Sequence, residues 1–578
     1  MSNYKKFFFP ESQKIDKKLS DTEQNNSGYP LPGPQNATAE QIASAAFFSD
    51  PKDWDRVRNE AFDFIVIGTG PTAVAFIEQT LALNAKAKIL VLERGGYWLP
   101  SHYQMLSPAL QATTGTPTTT YPWSRTTKMA TEGDKLVQAG YIPQLGGRST
   151  YWSAWCPIPT PAQLRDWPES LIAVTQQENF WNRAQDFLHT TSTALIQNGI
   201  YGQLQQQITA NLQSRLVDVP SATEAFAAPI AVGNTGWQGV KFYKYSTVAT
   251  LLELQQKQLL QNPSRQATPL TIADRCVVDR LEHDNNGTVT QIHSSRGAIK
   301  VGKAKVILAM GTIPPATLLM NSFKGTGLLA NAGKRYTGHF MSHVTARVKR
   351  SAFASLASLE IGATYLAGTD RESGLQYHVQ TSAFASTDPS GDMGTIAREA
   401  PDAAAVASPE QLQSSHDYVI FVCATLGEVS EKNPENWIRL NEGADPTTNI
   451  SLQLGLCASD QKLWNVLDEA TFQTIAAMMP QEHNDAIEYW TDNHGWQAAK
   501  PTASDIRLPI IVHEASPLWM GADSATSVVG LDYRPHGVSN IYVTGGSLFP
   551  TSGSWNPTLT MCGLAQDLAQ KLTAQPPN

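Results

Sequence analysis

The sequence predicts an α/β protein of two domains, with one domain inserted into the other. Its 578 residues exceed what one hydrophobic core usually supports. Short apolar runs ending in glycine, typical of buried parallel strands, cluster at about 61–160, 236–345 and 510–578. The stretches between them, 161–235 and 346–509, are mixed and carry more Trp, Gln and Ser. We therefore expect one discontinuous domain around a parallel sheet and a second domain from the intervening stretches.

A βαβ unit opens the regular part of the chain. The run Phe62–Ile67 ends at Gly68 and predicts a buried strand, and 88–93 predicts a second one. Between them, 71–84 carries apolar residues at helical spacing. Further along the chain we expect strands at 276–278, 288–290, 305–309 and 540–544, and a closing helix at about 557–573.

Composition excludes several classes of protein. Residues 1–60 are polar and rich in Asn, Gln, Ser and Pro, so we expect a loosely attached N-terminal arm. The chain has neither a signal-length apolar region at its start nor an apolar run of about 18 residues, so we expect a cytoplasmic protein without a membrane span. A net charge of −8 gives no basic field for nucleic acid. The five cysteines lack metal or redox spacing, which favours free thiols and no metal site.

The turn after the first strand carries a dinucleotide-binding motif, Gly68-Thr69-Gly70-Pro71-Thr72-Ala73. Gly68 permits the tight turn, Gly70 allows a pyrophosphate to approach the backbone, and Ala73 lets the helix pack on the strand. The helix N-terminus would bind the phosphates. Glu93 ends the second strand, where a carboxylate accepts hydrogen bonds from ribose hydroxyls. An acidic residue there favours FAD or NAD over NADP, but the motif does not choose between FAD and NAD.

Five segments, in chain order, resemble the glucose-methanol-choline (GMC) oxidoreductase family. They are 144–152 (QLGGRSTYW), 306–320 (VILAMGTIPPATLLM), 513–521 (HEASPLWMG), 546–550 (GSLFP) and 556–560 (NPTLT). The agreement extends over the nucleotide-binding part, from about residue 62 to the end. The resemblance implies FAD as the cofactor. It also implies a Rossmann-like FAD-binding domain with an inserted mixed-sheet substrate-binding domain.

The resemblance also implies which residues contact the FAD. Beside the glycine motif and Glu93, these are Gly147, Ser149, Thr150, Tyr151, Ser153, Val277, Gly311, Gly546, Ser547, Asn556, Pro557 and Thr558. Within the family, residues 149–152 are most similar to pyranose 2-oxidase, whose loop has a His that carries a covalent flavin. Tyr151 stands at that place and lacks the nucleophilic nitrogen, so we expect non-covalent FAD. Ser153 falls where that relative has a Thr near the reactive edge of the flavin.

His513 and Asn556 are the candidate catalytic residues. Removing a hydride from an alcohol needs a base with a pKa near neutrality, and His is the usual choice. It also needs a donor that holds the substrate oxygen as charge develops on it. The resemblance assigns His513 as general base and Asn556 as that amide partner. Asn556 also suits the N-cap of the closing helix, whose positive end would face the flavin.

We expect oxidation of an alcohol, first a sugar, glycoside or polyol hydroxyl, by hydride transfer to flavin N5, with oxygen or a quinone as acceptor. Three alternatives stay open: a lyase or light-driven decarboxylase of the same fold, a non-catalytic flavin-binding redox partner, and a nicotinamide dehydrogenase. The sequence does not indicate the oligomeric state. Residues 388–408 predict a flexible loop or lid. Four tryptophans are candidates for sugar stacking or for plain packing: Trp437, Trp464, Trp490 and Trp496.

Overall fold

The computed structural model describes residues 39–106, 130–131, 137–138, 141–196, 198–233, 242–402 and 406–574. Most of the expected N-terminal arm, residues 1–38, lies outside the described residues. Residues 47–578 form one compact unit, which contains every site residue discussed below. Residues 1–46 form a separate unit, of which the described part lies in one helix.

Within the described residues the α-helices are α1 Ala39–Phe47, α2 Trp54–Val57, α3 Pro71–Leu83, α4 Glu169–Thr175, α5 Phe180–Leu188, α6 Gln203–Ser214, α7 Thr247–Gln261, α8 Ile313–Ser322, α9 Pro389–Glu399, α10 Pro409–Leu412, α11 Ala458–Ala477, α12 Ala503–Ile506 and α13 Thr558–Thr573. The strands are β1 Phe64–Ile67, β2 Ile89–Leu92, β3 Ala130–Thr131, β4 Val137–Gln138, β5 Thr190–Ser192, β6 Ala222–Ala227, β7 Pro229–Ala231, β8 Thr271–Ala273, β9 Val278–His283, β10 Val289–Ser294, β11 Ile299–Lys300, β12 Lys305–Leu308, β13 Thr337–Lys349, β14 Leu359–Thr369, β15 Gln376–Ser386, β16 Tyr418–Glu428, β17 Trp437–Leu440, β18 Ile450–Gln453, β19 Glu488–Thr491, β20 Gly495–Gln497, β21 Arg507–Ala515 and β22 Ile541–Val543.

A five-stranded parallel sheet forms the first core, in the order β22-β12-β1-β2-β8. Every residue of β1 and β2 is buried, as expected for a parallel sheet with both faces covered. Helix α13 packs on α3 beside this sheet. The sheet thus brings the expected strands at 62–67, 88–93, 305–309 and 540–544 together in parallel.

A nine-stranded, largely antiparallel sheet forms the second core. Its main path is β20-β19-β13-β16-β15-β14-β6, while β21 pairs with β13 and β4 pairs with β21. The predicted α/β fold class, with parallel and antiparallel sheets, is therefore confirmed. The expected boundaries at 345/346 and 509/510 fall inside β13 and β21 of this sheet, and the domain limits stay a prediction.

Two local expectations were wrong. The predicted loop at 388–408 contains helix α9, because Asp388 accepts a hydrogen bond from the Gly391 N–H and Pro389 occupies the first turn. The N-terminal arm was expected to extend to residue 60, but Trp54 and Val57 are buried in the core of the parallel sheet. Among the described helices, none combines the length and apolarity needed to cross a bilayer.

Candidate active site

A cavity of about 410 Å³ lies where the carboxyl ends of four parallel strands meet. Gly68 follows β1, Glu93 follows β2, Gly311 follows β12 and Gly545 follows β22, and all four line the cavity. This edge of a parallel sheet is the usual location of ligand sites in open α/β folds. The opposite wall comes mainly from the antiparallel sheet: Met341, Gln380, Ala424, Leu426, Ile511, Val512 and His513.

The glycine turn is built for close approach of a ligand to the backbone. Gly68 has φ +108°, and a Cβ there would lie 2.3 Å from the carbonyl oxygen of Ala309, so only glycine fits. Gly70 is different, because a Cβ added to it meets nothing within 4 Å. Ala73 is fully buried in α3 and does not line the cavity, which fits its expected packing role. The first turn of α3 thus presents its N–H groups at the cavity, as anion-binding helices do.

Glu93 is a buried carboxylate beside this turn. Its Oε2 accepts a hydrogen bond from Thr69 Oγ1 at 2.5 Å, and its Oε1 accepts one from the Gly95 N–H at 2.8 Å. Burial raises the pKa of Glu93 to about 7, and these two hydrogen bonds oppose that effect. Further donors, such as ribose hydroxyls, would stabilise the charged form, so the residue fits a dinucleotide.

Thr69, which the sequence reasoning missed, ties the glycine turn to the loop at 146–150. Its hydroxyl accepts from the Gly146 N–H at 2.9 Å, and its carbonyl accepts from Thr247 Oγ1 at 2.9 Å. The N–H of Thr247 in turn donates to Ser149 Oγ at 3.0 Å. Gly147, Ser149, Tyr151 and Ser153 line the cavity, whereas Thr150 is buried behind it and accepts from Gln144.

The remaining expected cofactor contacts divide into two groups. Asn556, Pro557 and Thr558 line the cavity at the N-terminus of α13. Gly546, Ser547 and Val277 do not line it. Gly546 instead allows close packing, because a Cβ there would lie 2.8 Å from both the Glu514 carbonyl oxygen and Thr312 Oγ1. Ser547 is fully buried, and Val277 is flanked by Cys276 and Val278, which do line the cavity.

His513 lies in a β-bulge of strand β21. The pairing of β21 with β13 shifts between His339↔Val512 and Thr337↔Ala515, which leaves an extra residue at His513–Glu514. His513 itself has φ +56°, a conformation that non-glycine residues rarely adopt and that often marks functional sites. The bulge turns the His513 side chain into the cavity. Sequence reasoning did not foresee it, since a bulge depends on the partner strand.

The imidazole of His513 contacts a second histidine. Nδ1 of His513 lies 2.9 Å from Nδ1 of His339, so one ring donates and the other accepts. Burial lowers the pKa of His513 well below its usual value, and positive charge on His339, His378 or Arg148 would lower it further. Burial also lowers the pKa of His339 to about 4, opposed by the backbone at Ser552 and Gly553. Both rings are therefore neutral at pH 7.

Asn556 lines the same cavity as His513 and is oriented by Gln380. Gln380 Nε2 donates to Asn556 Oδ1 at 2.9 Å. Helix α13 starts at Thr558 without a side-chain cap, so the expected N-cap role of Asn556 was wrong. The amide oxygen of Asn556 accepts the hydrogen bond from Gln380 instead. Gln380 lies in a stretch without any motif, and no sequence signal pointed to it.

A buried lysine supports the wall at Ser153. Ser153 Oγ donates to Asp402 Oδ1 at 2.5 Å, and Lys244 Nζ donates to the carbonyls of Ser153 and Pro401 at 3.0 and 2.5 Å. Burial lowers the pKa of Lys244 to about 7, while the negative charge of Asp402 opposes this. Asp402 and Ser153 line the cavity. Neither Lys244 nor Asp402 was expected, since each stands outside any motif.

The four tryptophans considered for sugar stacking lie outside the cavity. Trp437 and Trp464 are buried, and Trp490 and Trp496 contact each other at the rim of the antiparallel sheet. In the part of the chain that the structure describes, no group of side chains is arranged to hold a metal ion. Each of the five cysteines is free.

Comparison with known proteins adds a family match. A family model described as GMC oxidoreductase matches residues 432–565. The matched stretch contains both His513 and Asn556, whereas the glycine turn, Glu93 and the loop at 146–150 lie outside it. No curated protein matches the chain.

Proposed function

Because the chain belongs to the GMC oxidoreductase family, a family of flavin-dependent oxidoreductases, we propose that it binds FAD and oxidises an alcohol to a carbonyl compound. One observation carries this proposal. A single cavity extends from the glycine turn and Glu93 to His513 and Asn556, so a cofactor and a reacting hydroxyl can be held side by side.

The residues at the sheet edge fit FAD. Gly70 leaves the backbone open at the start of α3, where the pyrophosphate would be held, and Glu93 would accept from ribose hydroxyls. Pro557 and Thr558 open α13 at the other part of the cavity and supply the positive end of a helix dipole. Tyr151 lines the cavity and offers no imidazole nitrogen, so we propose that the FAD is non-covalent. When bound, FAD supplies the acceptor for the hydride.

We propose that His513 and Asn556 have different roles at the substrate hydroxyl group. We propose that Nδ1 of His513 donates to Nδ1 of His339, which leaves Nε2 of His513 unprotonated and able to take the hydroxyl proton. Asn556 Oδ1 is used by Gln380, so its NH₂ group is available to donate to the substrate oxygen. The alcohol would lose this proton to His513, and bound FAD would supply the acceptor for its hydride, which would leave a carbonyl group.

Polar groups near the reacting end support a polyhydroxylated substrate. Gln380, Ser153 and Asp402 add hydrogen-bonding groups to a wall that otherwise carries apolar side chains such as Met341 and Leu426. We propose a sugar, glycoside or polyol as substrate, and oxygen or a quinone as the final electron acceptor.

Anaerobic mixing of the purified flavoprotein with sugars, glycosides, polyols and sterols tests the proposal. We expect at least one sugar or polyol to bleach the visible flavin absorbance, and oxygen or a quinone to restore it. A colourless protein that takes up no FAD would contradict the cofactor. A flavoprotein that no alcohol reduces would contradict the reaction.

A further inference from the structure

We propose that Ser554, His378 and Gln380 form a hydrogen-bonded chain that fixes the Asn556 amide with its NH₂ group toward the cavity. These three are positioning residues, because they act on the substrate through Asn556. The consequence for catalysis rests on the proposed function, in which Asn556 is the donor. The orientation itself rests on the hydrogen-bond geometry and on a neutral ring at the buried His378.

The chain starts at a backbone carbonyl, which can only accept. Ser554 Oγ donates to the carbonyl oxygen of Leu426 at 2.9 Å, and this uses its single hydrogen. Nδ1 of His378 lies 2.9 Å from the same hydroxyl. Ser554 must therefore accept there, and His378 must carry a proton on Nδ1.

The protonation state of His378 in turn determines how the Gln380 and Asn556 amides are oriented. Burial lowers the pKa of His378 well below its usual value, so the ring is neutral and its Nε2 has no proton. Gln380 Nε2 lies 3.1 Å from that nitrogen and must donate to it. Its second hydrogen then donates to Asn556 Oδ1 at 2.9 Å. The Leu426 carbonyl thus determines both amide orientations, whichever way the amide oxygen and nitrogen are first assigned.

The chain is shielded from solvent and held in place. His378 and Ser554 are fully buried, and Gln380 and Asn556 are only 4% and 5% exposed. The ring of Tyr365 stacks on His378 at 5.1 Å with an angle of 15°. Among the described residues, none accepts a hydrogen bond from Asn556 Nδ2, and Asn556 lines the cavity. The amide nitrogen is therefore presented to a ligand before the ligand binds.

The alternative orientation would oppose the reaction. A freely rotating Asn556 amide would place its oxygen toward the substrate in part of the molecules, where it repels the charge that develops on the substrate oxygen. Preorganised donors avoid this loss because they need no rearrangement during the reaction. The three positioning residues thus form a connected set of buried polar groups that acts on one amide at the cavity.

The tautomer of His378 gives a direct test that needs no turnover. In holoenzyme labelled with ¹⁵N-histidine, we expect His378 to show a protonated Nδ1 and an unprotonated Nε2. Loss of the signal in His378→Gln assigns it. An Nε2-protonated or doubly protonated His378 would overturn the proposal.

Kinetics supply the second test. The probe is whichever of D-glucose, D-mannitol and methyl glucoside reduces the wild-type flavin fastest without oxygen. We expect Gln380→Met to slow flavin reduction at saturating probe about tenfold with little change in the half-saturating concentration. The double variant Gln380→Met/Asn556→Ala should be no slower than Asn556→Ala alone, since Gln380 acts through Asn556. Losses that multiply in the double variant would overturn the proposal.

Two further variants complete the experiment: a matched control and a substitute for Gln380→Met. Thr381→Val is the matched control, because Thr381 is equally buried on the same strand but contacts Cys423 instead. It should reduce at the wild-type rate. If Gln380→Met does not fold, Ser554→Ala breaks the chain at its origin and should show the same non-additivity. If neither these three probes nor any other alcohol of the panel above reduces the wild-type flavin, the proposed function fails, and the His378 tautomer still decides the orientation of the chain.

Discussion

His513, the proposed base, is partly buried beside other ionisable groups. His339 lies at 2.9 Å, and Arg148 nearby is paired with Glu514, whose side chain is 3% exposed. Burial and these neighbours lower the pKa of His513 below its usual value. The lowered pKa keeps the base form populated at neutral pH, at the cost of a weaker base.

This predicts the pH dependence of flavin reduction. In the proposed reaction the unprotonated form of His513 is the active one, and its pKa is lowered, so activity should be lost only as pH falls through that lowered pKa. We expect a flat rate between pH 7 and pH 9 and a decline only below about pH 6.5. Anaerobic stopped-flow reduction across this range measures it. A decline centred above pH 7 would mean that His513 is not the titrating base, and His513→Ala should remove the acid limb together with most of the rate.

The turn between β1 and α3 offers a matched pair of glycines. Gly68→Ala would force a Cβ against the Ala309 carbonyl at φ +108°, so we expect a loss of stability of about 2–4 kcal/mol. Gly70→Ala meets open space at φ −71°, so the protein should fold normally. Its FAD affinity should nevertheless fall, because the added methyl group occupies the approach to the pyrophosphate. Thermal unfolding and FAD titration of the two variants separate these effects; equal stability of both would contradict the first expectation.

The segment at 147–150 and strand β21 are joined by one ion pair. Arg148 binds Glu514 through two hydrogen bonds of 2.6 and 2.5 Å, and the Arg148 side chain is 43% exposed. Arg148→Met would remove both of these hydrogen bonds and the positive charge from the buried Glu514 carboxylate, and should cost about 1–3 kcal/mol. Adding Glu514→Gln should recover much of this loss, since it removes the buried negative charge. Chemical denaturation of the two variants measures it, and an Arg148→Met protein as stable as the wild type would show that the pair contributes little.

Sequence patterns predicted the parallel sheet because its signals are local. Each of β1, β2 and β12 is a short apolar run, and β1 ends at a glycine that the turn requires. The position of His513 in a β-bulge could not be predicted from local sequence patterns. Its bulge arises from the register with β13, some 170 residues earlier in the chain. Gln380 was missed for a similar reason, since only tertiary packing brings β15 beside the residues around 556.

At the scale of the whole molecule, the cavity is shared by two sheets with different roles. The parallel sheet contributes strand ends and helix N-termini, which suit a charged dinucleotide. The antiparallel sheet contributes side chains to the opposite wall, including His513 and Gln380. A substitution in the second sheet can therefore alter the wall opposite the glycine turn without touching the strand ends of the first sheet. The domain limits themselves stay a prediction.

Cofactor binding should therefore be coupled to the protonation of the parallel sheet's own carboxylate. The pKa of Glu93 is raised from 4.5 to about 7, mainly by burial, with Asp274 adding to the rise and Arg94 opposing it. Between these values the folded, flavin-free protein holds a proton that the unfolded chain has released, so its stability falls as pH rises through this window. Ribose hydroxyls that donate to Glu93 favour the charged form, so FAD binding expels this proton.

The affinity for FAD should consequently rise with pH up to about 7, by at most about tenfold per pH unit, and level off above it. Titration of the flavin-free protein with FAD from pH 5.5 to pH 8.5 measures this, and calorimetry in buffers of different ionisation enthalpy counts the released proton. Glu93→Gln should bind FAD more weakly at pH 8 and with no such slope, whereas Asp274→Asn should keep it. An unchanged slope in Glu93→Gln would assign the proton to another group and remove Glu93 from the ribose site.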